Sequence, residues 1–126
     1  MSEPKRILIV DDDAFIRRPL ELILREEGYA PATARDAEEG MRAVESTRPD
    51  LILLDVMMPG KDGFTFCGEL KSDPRYASIP IVLLSARGLE RDRSYGLSLG
   101  ATDFLTKPYS PHELRKRVRE LLSPSE

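Results

Sequence analysis

Five short aliphatic runs alternate with five longer segments whose apolar residues recur at helical spacing, and this βαβαβαβαβα rhythm leaves few folds open. The runs "RILIV", "APATA", "LILL", "PIVLL" and "TDFLT" predict strands at about 6–10, 30–34, 51–54, 80–84 and 102–106. Four of them are apolar enough for burial on both faces. The second carries Pro31, which has no amide to give to a ladder and therefore belongs on a sheet edge. Helices are predicted at about 14–27, 36–47, 63–72, 88–99 and 110–122. Gly28 and Gly100 stand where left-handed caps belong, and Asp36, Asp62 and Ser110 stand where N-caps belong. Pro19 is the local conflict: inside the first helix it removes the bond to the Phe15 carbonyl, so a kink or a late helix start is expected. Strands that alternate with helices imply parallel pairing through right-handed crossovers, and such α/β sheets bind ligands beyond the carboxyl ends of their strands.

Length and composition narrow the functions. A chain of 126 residues fits one domain, read as spanning 1–126 without an output domain, and buries roughly two-thirds of its unfolded surface without staples. The formal charge of -3 argues against nucleic-acid binding by overall charge. Cys67 and His112 are the only cysteine and histidine, which excludes disulfide frameworks and Cys/His zinc sites and fits a reducing cytoplasm. Cys67 reads as a small buried apolar residue and His112 as a solvated one. "MSEPKR" leads into only five apolar-rich residues, far short of a signal-peptide core or a membrane span, so a soluble cytoplasmic protein with no membrane partner is expected.

The strand ends hold the chemistry. Strand 1 runs into Asp11, Asp12 and Asp13, strand 3 into Asp55, strand 4 into Ser85, and strand 5 into Lys107 and Pro108. Adjacent strands lie ~4.8 Å apart, so if strands 1 and 3 adjoin, these carboxylates share one pocket. Clustered carboxylates repel unless a cation joins them, and Mg²⁺ suits the site because it takes oxygen ligands and keeps waters for an incoming phosphate. Lys107 and Ser85 would then meet phosphate oxygens. Taken singly, Ser85 reads as a satisfied core hydroxyl, Phe104 as core, Lys107 as a solvated strand end, and Asp13 as an N-cap rather than a metal ligand. Arg115, Lys116, Arg117 and Arg119 read as a solvated face. Only the shared rim outweighs these plain readings for Asp11, Asp12, Asp55, Ser85 and Lys107.

Five separated motifs, "IVDDD", "DLILLDVMMPGKDG", "PIVLLSA", "GATDF" and "TKP", make the whole chain resemble the receiver domain of two-component response regulators. The resemblance implies a flavodoxin-like, doubly wound five-stranded parallel sheet of order 2-1-3-4-5 with five helices. It implies that Asp55 accepts a phosphoryl group from the phosphohistidine of a sensor histidine kinase or phosphotransfer protein, as a phosphoacceptor and not a turnover enzyme. Position by position, Asp12, Asp55 and the Met57 carbonyl would hold Mg²⁺ directly and Asp11 directly or through water. Lys107, Ser85 and the Ala86 amide would meet the phosphoryl oxygens, with Ser85 and Phe104 as the switch that remodels the face of helix 4, strand 5 and helix 5. The Lys107–Pro108 peptide would be cis. Met57 and Arg87 stand where the family tunes loss of the phosphoryl group, and Phe104 lacks the hydroxyl of the commoner tyrosine.

The last third of the sequence resembles the winged-helix transcription-regulator branch, whose receivers pair through helix 4, strand 5 and helix 5. By position, Arg93 of one protomer would meet Glu113 of its partner, and Asp103 would meet Arg117. Two rival readings stand beside this one. A haloacid-dehalogenase-type phosphatase would use Asp11, Asp13 and Lys107, although "LLSARG" supplies no paired acid after strand 4. A phosphorylation-independent receiver would keep the fold as an interaction module without the switch.

Overall fold

The computed structural model describes residues 3–122. In chain order the elements are β1 (Arg6–Val10), α1 (Ala14–Glu26), β2 (Ala30–Ala34), α2 (Ala37–Thr47), β3 (Leu51–Asp55), α3 (Gly63–Ser72), β4 (Ile81–Ser85), α4 (Glu90–Ser98), β5 (Asp103–Thr106) and α5 (Pro111–Leu122). All strands pair in parallel in the order β2-β1-β3-β4-β5. Pro31 lies on the edge strand β2, opposite Ile7, as its missing amide requires.

The period-two alternation of the central strands sorts their side chains into two layers. Leu8, Val10, Ile52, Leu54, Ile81 and Leu83 face one way, against Val44 of α2 and Phe66, Cys67 and Leu70 of α3. Ile7, Ile9, Leu51, Leu53, Val82, Leu84 and Leu105 face the other way, against Leu20 and Leu24 of α1 and Leu114 and Val118 of α5. Each such aliphatic side chain stabilises the fold by about 1.5–3 kcal/mol on full burial, so β1, β3 and β4 are the rigid centre from which the site projects.

The predicted caps form. Asp13, Asp36 and Asp62 each accept a hydrogen bond at 2.8 Å, from the amides of Phe15, Glu39 and Thr65. The Ser110 hydroxyl accepts from the Glu113 amide at 3.0 Å. Gly28 and Gly100 take φ of +90° and +106° and turn the chain out of α1 and α4.

Several boundaries differ from the sequence reading. Asp55 and Ser85 lie inside the last ladder position of β3 and β4 rather than just beyond it, because Asp55 pairs with Leu84 and Ser85 with Thr106. The fourth strand begins at Ile81, since Pro80 has no amide for the ladder, and α4 begins only at Glu90, because its N-cap Leu89 has an extended backbone (φ -76°, ψ 134°). A late start of α1 is overturned: the helix begins at Ala14 and continues through Pro19 to Glu26. Pro19 and Phe15 both lie on the exposed side of α1, where water can serve the carbonyl that Pro19 leaves without its helical donor.

Candidate functional site

Because Val10 pairs with Leu54, β1 and β3 deliver Asp11 and Asp55 side by side at the carboxyl edge of the sheet. Both are buried, at 1% and 4% exposure, while Asp12 stands exposed on the rim. Carboxylate oxygens of Asp11, Asp12 and Asp55 all lie within 4.8 Å of one another. Asp13 is turned away as the N-cap of α1.

Lys107 joins the two buried acids. Its Nζ donates to Asp11 Oδ2 and Asp55 Oδ1, each at 3.1 Å, and the side chain is only 18% exposed, so the plain reading of a solvated strand end does not hold. The backbone aims it: the Lys107 amide donates to the Ser85 carbonyl at 2.6 Å, and the Lys107–Pro108 peptide is cis, as the resemblance implies. Burial would pull the ammonium down, yet hydrogen bonds and charges from Asp11 and Asp55 outweigh it and hold Lys107 above its ordinary pKa. Asp55 is pushed up, first by burial and then by the charge of Asp11, with Lys107 and the Met57 backbone opposing. Three carboxylates facing one ammonium leave an excess of negative charge that a divalent cation would balance. An all-oxygen set with one exposed side suits Mg²⁺, so the residues present fit that ion.

Ser85 is buried beside this cluster, and its Oγ accepts from the Arg87 amide at 3.0 Å. Ala86 lies exposed next to it, Met57 is exposed on the β3–α3 loop, and Phe104 is buried in β5. Cys67 is fully buried, which pushes its thiol up, and His112 is exposed at the start of α5.

Three supporting residues escaped the sequence reading. Arg17 of α1 donates from Nη1 to the Asp11 carbonyl at 2.7 Å. A Cβ on Gly63 would lie 2.2 Å from the Asp55 carbonyl oxygen, so only glycine lets α3 start against the end of β3; the "DG" at 62–63 was the available signal. Tyr109 has its phenol pushed up to about 12, by burial and then by the charges of Asp11 and Asp55.

The residues expected to face a partner subunit meet within one chain. Asp103 forms an ion pair with Arg117 and lies 3.9 Å from Arg93, and Arg117 approaches Glu113 at 3.8 Å one helical turn away. Arg93 Nη1 also donates to the Phe104 carbonyl at 3.2 Å.

A sequence profile described as the response regulator receiver domain matches residues 7–119. The chain belongs to the response regulator receiver domain family. This receiver is 47% identical over 122 residues to the probable transcriptional regulator ycf27 of Cyanophora paradoxa, covering 97% of this chain and 50% of that protein. It is 42% identical over 118 residues to the phosphate regulon transcriptional regulatory protein PhoB of Escherichia coli K12, covering 94% of this chain and 52% of that one. The chain thus spans about half the length of the curated relatives it matches. Among solved structures, a putative response regulator from Chloroflexus aurantiacus superposes with a TM-score of 0.91 at 38% identity, covering 96% of this chain and 99% of that one. The receiver fold and its place in two-component signalling follow from these matches. Among the described residues no helix is long and apolar enough to cross a membrane.

Proposed function

We propose that this receiver takes a phosphoryl group from a donor phosphohistidine onto the Asp55 carboxylate and passes the change to the face of α4, β5 and α5. The observation that carries the reading is the Lys107 ammonium held 3.1 Å from both buried carboxylates at the strand ends. An Asp55 oxygen attacks phosphorus, the bond from phosphorus to the donor imidazole nitrogen breaks, and an acyl phosphate remains on Asp55. The transferring group spreads its charge over three equatorial oxygens, so the protein's task is positioning and charge balance. Lys107 would meet one oxygen of the transferred group, the amide of Ala86 another, and Ser85 would turn its hydroxyl toward it on leaving the Arg87 amide. Asp11, Asp12, Asp55 and the Met57 carbonyl would hold Mg²⁺, which when bound supplies the positive charge that offsets the phosphoryl oxygens.

The chain is then a phosphoacceptor whose output is a changed surface. Phe104, buried and without a hydroxyl, would couple to Ser85 through ring packing alone. Dimerisation through α4, β5 and α5 is part of the proposal, with Arg93, Asp103, Glu113 and Arg117 exchanging their present intrachain pairs for contacts across a two-fold axis. The phosphatase alternative loses support because Asp13, its second acid, is spent on capping α1.

Labelling with acetyl phosphate tests the site. The parent should incorporate one phosphoryl group in Mg²⁺ and almost none in chelator, Asp55→Asn should incorporate none, and Asp12→Ala should lose metal binding and labelling together. Full labelling of Asp55→Asn would overturn the proposal.

A further inference from the structure

The helix α4 is the least anchored of the five. Its sequence ERDRSYGLS buries one residue, Gly96, whereas every other helix buries at least two. Its N-cap is Leu89, which has no side chain able to cap. Asp92 stands at the third helical position, from which an acidic side chain ordinarily reaches back to the cap amide. It does something else: Asp92 Oδ2 accepts from Arg87 Nε at 3.2 Å and from Arg87 Nη2 at 2.9 Å, across the loop before the helix. The same Arg87 gives its backbone amide to the Ser85 hydroxyl. One residue therefore grips the hydroxyl beside Asp55 with its main chain and the first turn of α4 with its side chain.

Arg87 lies two residues beyond Ser85 at the end of β4, next to the end of β3 that carries Asp55, so a phosphoryl group on Asp55 would be a second anion for it and a stronger one than Asp92. Asp92, whose side chain is 14% exposed, offers one carboxylate to a guanidinium whose side chain is 56% exposed, a pair screened by solvent on the arginine side. A phosphoryl group brings about -1.5 to -2 charge and three acceptor oxygens, and the planar guanidinium fork matches phosphate oxygens in pairs. Turning Ser85 toward that group also frees the Arg87 amide, so backbone and side chain let go together.

We propose that Arg87 is a charge-exchanging latch, paired with Asp92 in the resting receiver and drawn onto the phosphoryl oxygens at Asp55 on activation, which releases the first turn of α4. The inference rests on Asp55 as phosphoacceptor and goes further by naming the side chain that carries the signal to α4. The released turn adjoins Arg93, whose bond to the Phe104 carbonyl is the next link toward β5.

The latch makes opposite predictions for the two partners of one ion pair, which a purely structural pair does not. Affinity for beryllofluoride with Mg²⁺, followed by the amide resonances of Val56 and Ala86, is the measurement. Asp92→Asn removes the resting competitor and should tighten binding about threefold to fivefold, while Arg87→Ala should weaken it by a similar factor. Arg87→Lys should recover part of the loss, and Asp92→Asn should have no effect on the Arg87→Ala background. Both single variants shifting in the same direction, or neither shifting, would overturn the latch while leaving Asp55 as acceptor intact. A parent that binds no beryllofluoride would overturn the acceptor reading itself, and the latch with it.

Discussion

Asp55 is held at a cost that a cation bound beside it would offset. Its folded pKa is raised, by burial and then by Asp11, so the folded state binds the Asp55 proton more tightly than the unfolded chain does. That penalty is absent below the unfolded carboxylate range, grows as pH rises from there toward the folded value, and is complete above it. In chelator at pH 7, Asp55→Asn should therefore be more stable than the parent by about 1 kcal/mol, with the advantage fading toward pH 3. Mg²⁺ should raise the melting temperature of the parent more than that of the variant, as calorimetry can check. Tyr109 gives a second titration: its phenol is pushed up to about 12, so an absorbance titration should show tyrosine ionisation near that pH that a Tyr109→Phe variant lacks. An unfolded phenol ionises near 10. Stability contributed at Tyr109 is therefore present below pH ~10 and lost as pH rises toward 12. Asp11 and Asp55 were legible as strand-end residues because each directly ends an apolar run, and Lys107 because it follows the last residue of the fifth strand. Arg17 and Tyr109 were not, since the approach of α1 and the β5–α5 loop to Asp11 depends on how helices cross the sheet, which periodicity does not encode.

At the scale of elements, the β3–α3 connection is the tightest joint. Gly63→Ala would push a methyl into the Asp55 backbone, where no side chain can yield, and should cost more than about 3 kcal/mol and weaken Mg²⁺ binding by moving the Met57 loop. Gly96→Ala meets the Leu83 side chain instead, which can shift, so a loss of about 1–3 kcal/mol is expected with Mg²⁺ affinity kept. Equal effects of the two variants on metal binding would contradict this division, and isothermal titration measures it. The helices were readable from their caps and apolar stripes, but the ends of α4 were not. Its sequence is polar nearly all round, and its N-cap, Leu89, carries no capping side chain that would mark the start. Pro19 left a kink or a late start open, and with Leu20 and Leu24 buried against the sheet α1 is helical from Ala14 onward.

For the molecule as a whole, strand order and the two-layer core follow from parallel strands of alternating aliphatics, and the family resemblance set the order that periodicity leaves open. The proposed partner face was less legible, because Asp103, Arg117, Arg93 and Glu113 pair within one chain, and complementary charge in a sequence does not distinguish that from pairing across a two-fold axis. Exposed pairs contribute only ~0–1 kcal/mol each, so they would set register while apolar contacts supply affinity. Sedimentation with beryllofluoride should show a monomer-to-dimer shift that Arg117→Glu weakens and an added Asp103→Arg partly restores; a protein monomeric throughout would point to an unlike partner on that face. All of this depends on where the phosphoryl group goes. Borohydride reduces an aspartyl phosphate to homoserine, so treatment after incubation with acetyl phosphate and Mg²⁺, followed by peptide mass spectrometry, reads the position directly. Homoserine at position 55, and nowhere else, is the predicted result; homoserine at position 11 or 12, or unmodified aspartate at 55 in a labelled sample, would contradict the account.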